Sequence, residues 1–279
     1  MRRTNRRGKG MRKIVISVAP VAGDTTSAHT EDVARKAIES YHAGAAMAHL
    51  HVRERNGQLT RDPTQFQETL RLIRQHTDMV IQGSTGGVSD MTIEERCSPL
   101  DCPLVEMSSL NAGSVNLGDV VYRNPMPEIK YVTERCVQTG IVPEIEVFEL
   151  GMIHNMQLIA QEMPLPTPVI YAMVLGHKGG CLATPATLAL FSQYIPHDAL
   201  WNITHYGRRD DFSILTAALG LGACMVRVGF EDSAYLSPTE RVDRNAILIE
   251  RMSTIIKNIG FEVATPEDAR QMFGLKSLA

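Results

Sequence analysis

Two histidines at the end of a short apolar run are the residues best suited to chemistry in this sequence. The run extends from Gly44 to Arg53 and contains His49 and His51. In a buried strand alternate side chains share a face, so these imidazoles would lie roughly 7 Å apart along it. Two imidazoles and a carboxylate form a typical Zn²⁺ site that leaves one position open for substrate. The alternative is a pair of core histidines whose nitrogens bond to backbone carbonyls.

The composition of the 279-residue chain is that of an ordinary globular protein. It is 44% hydrophobic and 21% charged, which suffices for a large core. The net charge of −3 argues against nucleic acid or an acidic membrane as a partner. No apolar run reaches the ~18 residues of a membrane span. We therefore expect a soluble protein.

The N-terminal segment and the cysteines bear on the compartment. Residues 1–10 are rich in Arg and Lys but lack the apolar segment of a secretory signal. We expect a disordered basic leader there, with Met11 as the true start; a nucleic-acid-binding arm is the alternative. The five cysteines are odd in number and contain no Cys-x-x-Cys pair. This pattern predicts reduced thiols and a cytoplasmic protein.

Short β-branched runs alternate with helical patterns from Lys13 onward, which is typical of parallel βαβ units. The predicted strands are residues 14–19, 44–53, 79–83, 104–107, 142–147, 168–175, 199–203 and 223–228. Eight strand-then-helix units without a linker predict one (β/α)₈ TIM barrel over residues 11–279. The alternative, an open doubly wound sheet, usually has a glycine fingerprint after its first strand, and residues 20–24 contain none.

Three predicted helices have recognisable starts. Thr30 is the predicted N-cap of a helix over 31–41, and Asp62 is the predicted cap of the helix that follows the histidine strand. The stretch from Ser237 to Glu240 reads as a capping box and is predicted to open the last long helix.

The active site of a TIM barrel lies at the C-terminal ends of its strands. Polar residues occupy those ends here: His49, His51, Ser84, Thr85, Ser109, Asn111, Glu146, Arg227, Glu231 and Asp232. Because strand eight closes against strand one, its loop can reach strand two, and Glu231 is the predicted third metal ligand. The metal would then polarise a ketone oxygen. A solvated loop acid is the alternative for Glu231.

Arg227 and Glu146 lie within strands, where unpaired charges are costly, so we expect them to pair across the barrel. An arginine held in this way could bind a substrate carboxylate with two hydrogen bonds. It could also position Asp232 as a general base. The alternative is a purely structural ion pair beneath the site.

Two glycine-rich loops give weaker indications. Residues 84–87, Ser-Thr-Gly-Gly, could form a backbone nest for an anion or a plain turn. His177 and Lys178 could meet a cofactor phosphate or form a solvated basic loop.

A zinc hydrolase of the amidohydrolase type is an alternative function. Such barrels combine His-x-His with later histidines and a final aspartate, for which His154, His205 and Asp210 or Asp211 are available. In that family, however, the His-x-His motif ends the first strand. Here it ends the second, which argues against hydrolysis.

Five motifs, in this order and spacing, resemble those of the β-keto acid cleavage enzymes, named after 3-keto-5-aminohexanoate cleavage enzyme. They are residues 49–53 (His-Leu-His-Val-Arg), 84–87, 110–113 (Leu-Asn-Ala-Gly), 142–147 (Val-Pro-Glu-Ile-Glu-Val) and 227–232 (Arg-Val-Gly-Phe-Glu-Asp). The resemblance extends from about Lys13 to Phe273. It implies a zinc-bearing barrel, usually a homo-oligomer (a dimer or tetramer is expected). It also implies condensation of a β-keto acid with acetyl-CoA, which yields acetoacetate and a new acyl-CoA.

The resemblance also implies roles for individual residues. His49, His51 and Glu231 would hold the zinc, and Asp232 would be the base. The supporting residues for that base would be Arg227, Glu146 and Ser84, and those holding the substrate carboxylate would be Ser84, Gly87, Ser109 and Asn111.

The substrate class is suggested by the loop after strand one. In the aminohexanoate enzymes a glutamate of that loop meets the substrate ammonium group, and Asp24 corresponds to it here. An acid at this place favours a cationic substrate bearing an amino or trimethylammonium group. A barrel that has lost its chemistry and only binds a ligand is a third possible function.

Overall fold

The structure, a computed structural model, describes residues 11–209 and 212–278 of the chain. The predicted leader at residues 1–10 lies outside the described residues, as do Asp210 and Asp211. The strands are β1 (Lys13–Val18), β2 (Met47–Leu50), β3 (Val80–Gly83), β4 (Met107–Asn111), β5 (Val115–Leu117), β6 (Val120–Tyr122), β7 (Val142–Val147), β8 (Ile170–Leu175), β9 (Leu200–His205), β10 (Met225–Val228) and β11 (Glu262–Val263).

The helices between these strands form the outer layer. They are α1 (Thr30–His42), α2 (Thr64–His76), α3 (Ile93–Arg96), α4 (Met126–Thr139), α5 (Leu150–Glu162), α6 (Pro185–Tyr194), α7 (Ser213–Leu221), α8 (Asn245–Asn258) and α9 (Pro266–Phe273). Among the residues that the structure describes, no helix combines the length and the apolar character that crossing a membrane requires.

Eight parallel strands close into a barrel. Their order is β1, β2, β3, β4, β7, β8, β9, β10, and β10 pairs back to β1 with Ser17 opposite Arg227. The predicted (β/α)₈ TIM barrel is therefore confirmed. The alternative prediction, a doubly wound sheet, is wrong. An open sheet has two unpaired edges, whereas the eight strands here form a closed ring.

The inside of the barrel is apolar at its lower end and polar above. One buried cluster includes inward residues of six strands and two residues of α9: Val15, Met47, Val80, Met107, Val142, Met225, Ala269 and Phe273. Because residues two apart on a strand share a face, the next inward positions include His49, Gln82, Ser109, Glu144 and Arg227. The apolar layer seals the bottom of the barrel, and the polar layer forms the floor of the site.

Several boundaries differ from those predicted. Strand β4 lies at 107–111 and not at 104–107, because its polar residues Ser108, Ser109 and Asn111 are buried in the barrel and hid the strand pattern. The hairpin β5–β6 was not predicted at all.

The predicted capping box at Ser237 does not open the last long helix. The Glu240 amide does donate to Ser237 Oγ (3.2 Å), but the segment folds back through an antiparallel bridge between Tyr235 and Arg241. Helix α8 begins at Asn245. The local hydrogen bond thus stabilises a turn, which such a motif does equally well.

Two other helix starts are close to prediction. Helix α1 includes Thr30, so the predicted boundary is off by one residue. Asp62 Oδ1 accepts from the Thr64 amide (3.0 Å) at the start of α2.

Arg270 holds α9 against the bottom of the barrel. Its side chain is almost fully buried; Nε donates to Glu106 Oε2 (2.6 Å) and Nη2 to Glu106 Oε1 (2.9 Å) and the Asp78 carbonyl (2.8 Å). Arg74 Nη2 also donates to Glu106 Oε1 (2.9 Å). This network ties α9 to β3 and to the turn before β4.

Replacing Arg270 by Ala should lower the free energy of unfolding by about 3–5 kcal/mol, because it removes one partner of a buried ion pair. Urea denaturation of the purified protein measures the change. The matched control is Arg35→Ala, which breaks the exposed pairs to Asp32 and Glu39 and should cost about 0–1 kcal/mol. Equal losses in the two variants would contradict this role for Arg270.

Candidate active site

His49, His51 and Glu231 converge at the C-terminal end of the barrel. His49 Nε2 lies 3.3 Å from His51 Nε2, and the Glu231 carboxylate lies 3.7 Å from His49 Nε2 and 3.4 Å from His51 Nε2. Within residues 11–209 and 212–278, these three form the one cluster of His, Cys, Asp and Glu whose ligand atoms, all within 4.8 Å of each other, could hold a metal ion. The structure thus brings together the three ligands predicted from the sequence.

The protonation states of His49 and Glu231 suit a divalent metal. Burial lowers the pKa of His49 to about 3, so its imidazole is neutral, and Nδ1 is occupied by Gln82 Oε1 at 2.6 Å. Burial alone would raise the pKa of Glu231, but His51 and Arg227 hold it well below its usual range. Two imidazoles and an ionised carboxylate are the donor set of a catalytic zinc site. The residues present therefore fit the metal that the sequence predicts.

A glycine allows the β10 loop to reach the histidines. Gly229 has φ +144°, and a Cβ at this position would lie 2.3 Å from the Ala19 carbonyl oxygen. The Glu231 amide donates to that same oxygen (3.2 Å). Only glycine allows this close approach to the end of β1. The approach brings Glu231 across to the side chains of β2.

Arg227 lies at the centre of a group of acids beside the histidines. Its Nε and Nη2 donate to the two oxygens of Asp232 at 3.0 and 2.6 Å, and Nη2 donates to Glu231 Oε1 at 3.3 Å. Its Nη1 lies 3.6 Å from Glu146 Oε1. The predicted pairing of Arg227 with Glu146 and Asp232 is present, and the fork geometry fixes the orientation of Asp232.

More negative charge collects here than Arg227 can balance. Burial raises the pKa of Asp232 to about 6 although Arg227 opposes the shift, and it raises the pKa of Glu146 to about 8. Burial also raises the pKa of Glu144, the next acid inward on β7. Four carboxyl groups thus lie around the buried guanidinium of Arg227, with the buried Arg208 as a further cation near Asp232. A divalent cation at Glu231 would offset this excess, which is a second reason that the site fits a metal.

The predicted substrate-binding residues of β3 and β4 adjoin each other. Ser84 Oγ lies 3.2 Å from Ser109 Oγ. Asn111 Oδ1 accepts from the Gly113 amide (3.0 Å), whereas its buried Nδ2 has no hydrogen-bond partner among the described residues. A buried donor of this kind is costly unless a ligand meets it.

The predicted anion nest at residues 84–87 is not favoured by the structure. The Gly86 amide donates to Ser84 Oγ (3.1 Å) and the Gly87 amide to the Tyr122 hydroxyl (3.1 Å). Both N–H groups thus have internal partners, as in an ordinary turn. Gly87 still lines the cleft above the site.

An open cleft of about 1600 Å³ lies above these residues and is lined in part by His51, Arg227 and Glu231. Asp24, the predicted contact of a substrate cation, is exposed on its wall. The structure thus places Asp24 on the same cleft as the candidate metal ligands.

His177 also lines this cleft, stacked on Tyr206 with ring centroids 3.7 Å apart. Burial lowers the pKa of His177 to about 4, and Lys178 Nζ is paired with Asp119 Oδ1 (3.0 Å). A neutral imidazole and a paired lysine do not favour the predicted phosphate contact. The aromatic pair was not foreseen, because its two members lie far apart in the sequence.

The two histidines invoked for an amidohydrolase site do not join the pair of His49 and His51, and Asp210 and Asp211 lie outside the described residues. His154 is exposed on α5, with Nδ1 3.4 Å from Gln157 Oε1. His205 ends β9 but is not part of the metal-ligand cluster.

Comparison with known proteins decides the family. A family model described as beta-keto acid cleavage enzyme matches residues 13–275. The chain belongs to the β-keto acid cleavage enzyme family. The resemblance seen in the five motifs is thereby confirmed, and so is the predicted class, an enzyme that cleaves a carbon–carbon bond of a β-keto acid.

Individual relatives extend this result. The 3-keto-5-aminohexanoate cleavage enzyme of Fusobacterium nucleatum is 35% identical over 275 residues, which are 95% of this chain and 99% of that protein. The 3-oxoadipate:acetyl-CoA acetyltransferase of Cupriavidus necator is 31% identical over 243 residues, 86% of this chain and 84% of that protein. A solved ternary complex of ObcA with a C4-CoA adduct and oxalate shares the fold: the TM-score is 0.73 at 17% identity, over 88% of this chain and 67% of that one.

The variant Glu231→Ala should lose both bound zinc and turnover, because the two imidazoles alone are a poor zinc site. Elemental analysis of protein purified in zinc-containing buffer measures the metal, and a coupled assay measures the turnover. Glu240→Ala, which removes an exposed acid of the same loop, is the matched control and should keep both. A zinc-free Glu231→Ala protein with wild-type turnover would refute the ligand assignment.

Proposed function

We propose that this protein is a zinc-dependent enzyme that condenses a β-keto acid with acetyl-CoA and releases acetoacetate and a new acyl-CoA. The observation that carries the proposal is the convergence of His49, His51 and Glu231 beside the Arg227–Asp232 pair at the mouth of the barrel. The acetyl-CoA in the printed name of the Cupriavidus relative supports the co-substrate. So does the cleft, which exceeds the roughly 300–1,000 Å³ of a typical small-ligand pocket.

The proposed reaction exchanges two acyl groups. A base removes a proton from the carbon between the ketone and the carboxylate, and that carbon forms a bond to the thioester carbonyl of acetyl-CoA. The released coenzyme A thiolate then attacks the original ketone carbon. Cleavage of the bond between that carbon and the former α-carbon gives the new acyl-CoA and the carbanion of acetoacetate, which takes the proton back from the base, so that atoms and charges balance without an oxidant.

Asp232 is the proposed base. Arg227 holds both of its oxygens, so the carboxylate is oriented before substrate arrives, and Glu146 supports the arginine from the opposite side. In an enolate-like transition state, the fixed positive charge of Arg227 would stabilise the developing negative charge. Zinc held by His49, His51 and Glu231 would supply Lewis acidity toward the keto oxygen.

The substrate carboxylate would lie against β3 and β4. The free Nδ2 of Asn111 and the hydroxyls of Ser84 and Ser109 offer hydrogen-bond donors there, and Gly87 leaves room beside them. Ser84 would in addition assist the base.

A cationic β-keto acid, with an amino or trimethylammonium group, is the proposed substrate class. Asp24 places a carboxylate on the wall of the cleft, where it would face the end of the substrate remote from the reacting carbons. Of the two curated relatives described above, the one named for an amino-keto acid shares more identity with this chain than the one named for 3-oxoadipate.

The proposal includes a cytoplasmic location and a homo-oligomer, a dimer or tetramer. All five cysteines are free thiols, which supports a reducing compartment. Light scattering of the purified protein measures the oligomeric state.

One assay tests the proposed function. Purified protein is incubated with a panel of β-keto acids, with and without acetyl-CoA, and acetoacetate is followed. Acetoacetate that forms only with acetyl-CoA is the expected result. Product without the coenzyme would indicate a hydrolase instead, and binding without turnover would indicate a barrel that has lost its chemistry.

Asp232→Asn should lower kcat by about 10²–10⁴-fold while zinc content stays at the wild-type level, because the amide keeps the shape but cannot accept the proton. Steady-state kinetics and elemental analysis measure the two quantities. Asp243→Asn, an exposed acid farther along the same loop, is the control. Wild-type kcat in Asp232→Asn would remove this residue from the mechanism.

Asp24→Asn should raise KM for amino- or trimethylammonium-bearing β-keto acids more than for neutral ones, because it removes the charge that attracts the cation. Kinetics on paired cationic and neutral substrates measure the difference. Asp90→Asn alters another exposed acid of the same cleft and serves as the control. An equal rise in KM for both substrates would contradict the charge argument.

A further inference from the structure

Two polar residues lie behind His49 inside the barrel. Gln82 of β3 is fully buried and pairs in register with His49 of β2; Glu144 of β7 is almost fully buried. Gln82 Oε1 lies 2.6 Å from His49 Nδ1, and Gln82 Nε2 donates to Glu144 Oε2. Gln82 Nε2 also lies 3.5 Å from the Ser108 carbonyl oxygen. His49, Gln82 and Glu144 thus form a continuous hydrogen-bonded row across three strands.

The chemistry of these groups fixes the direction of each hydrogen bond. Whatever the protonation state of Glu144, the Ser108 carbonyl oxygen can only accept, and an amide NH₂ can only donate. The Gln82 amide nitrogen must therefore face Glu144 and the Ser108 carbonyl, which turns Gln82 Oε1 toward His49. Because that oxygen only accepts, His49 Nδ1 must be the nitrogen that bears hydrogen.

The other nitrogen of His49 is left with its lone pair. A neutral imidazole has a single N–H, so hydrogen at Nδ1 leaves Nε2 bare. Nε2 is the atom that lies near His51 and Glu231. His51 differs, since its buried Nδ1 has no hydrogen-bond partner among the described residues.

We propose that Glu144 and Gln82 are positioning residues that hold His49 as its Nδ1–H tautomer and so present the Nε2 lone pair to the metal. The choice of zinc as the ligand rests on the proposed function, whereas the tautomer does not. In the opposite arrangement the Gln82 amide would be turned by 180°, and its oxygen would face the Ser108 carbonyl oxygen, so that two acceptors would lie opposite each other. Removing an outer partner of this kind typically weakens metal binding by about 10–100-fold.

The first measurement uses the wild-type protein alone. In zinc-free, ¹⁵N-histidine-labelled full-length protein, the nitrogen shifts and couplings of His49 report which nitrogen bears hydrogen; the signal is assigned by its loss in His49→Asn. The Nδ1–H tautomer is expected. The Nε2–H tautomer would overturn the proposal, and this measurement requires no altered Gln82 or Glu144 to fold.

Variants then test each partner. Gln82→Leu removes the acceptor, so His49 should become a mixture of tautomers and the Kd for zinc, measured by competition with a chromogenic chelator, should rise about 10–100-fold. Glu144→Gln keeps the shape but removes one of the two acceptors that orient the Gln82 amide, so a smaller rise is expected. Thr133→Val, which removes a buried hydrogen bond to Ile129 in α4 outside the site, should leave zinc affinity unchanged. Wild-type zinc affinity in Gln82→Leu would overturn the proposal.

A swap of the two side chains provides the sharpest test. In the double variant Gln82→Glu/Glu144→Gln, the new carboxylate accepts from His49 Nδ1 and from the new amide, with no change in net charge. The Nδ1–H tautomer and zinc affinity should return to within about threefold of wild type, a factor well below the 10–100-fold loss expected on removing the partner. Failure of a stably folded double variant to regain them would contradict the proposal. Absence of turnover on every β-keto acid, with these results intact, would refute the proposed function and leave this inference standing.

Discussion

The buried guanidinium of Arg227 is the contact on which the site depends. It bonds to Asp232 and Glu231 of its own loop and lies close to Glu146 of β7, so one cation holds three acids that would otherwise repel each other. Truncating the arginine would leave several uncompensated buried charges, which is among the most costly changes a protein can undergo. The same cation orients the proposed base and one proposed metal ligand. Arg227 therefore fixes both the positions of these carboxylates and much of the charge balance around them.

Along each strand, the residues that stabilise the barrel and the residues proposed for chemistry lie at different heights. The period of two that places Met47, Val142 and Met225 in the sealed lower layer places His49, Glu144 and Arg227 one step above them. Each strand therefore contributes an apolar side chain to the bottom of the barrel and a polar one to the floor of the site. Burial in this floor shifts pKa values in the directions found for His49 and Glu146.

The sequence predicted the barrel because most strands are short β-branched runs, and it predicted the metal ligands because strand ends in such a barrel meet at one place. It placed β4 too early, at 104–107, because the buried serines and asparagine of this strand do not follow a strand pattern. It also misjudged Ser237, whose hydrogen bond stabilises a turn as well as it would a helix. Gln82 and Glu144 were missed for a different reason. Gln82 lies 33 positions from His49, and Glu144 lies 62 positions from Gln82, so only the pairing of strands reveals that they touch.

Reaction type and substrate choice are encoded in different parts of the molecule. The residues proposed for chemistry lie on strands or within four residues of a strand end, so the barrel itself fixes their positions, as Gly229 does for Glu231. Asp24 lies in an exposed loop instead, where a change of one residue moves the charge without disturbing the barrel. A family with this design can change its keto acid by altering loops such as that of Asp24 while its bond-cleaving centre stays in place. Such a design agrees with the names of two relatives of this chain, one named for an amino-keto acid and the other for 3-oxoadipate.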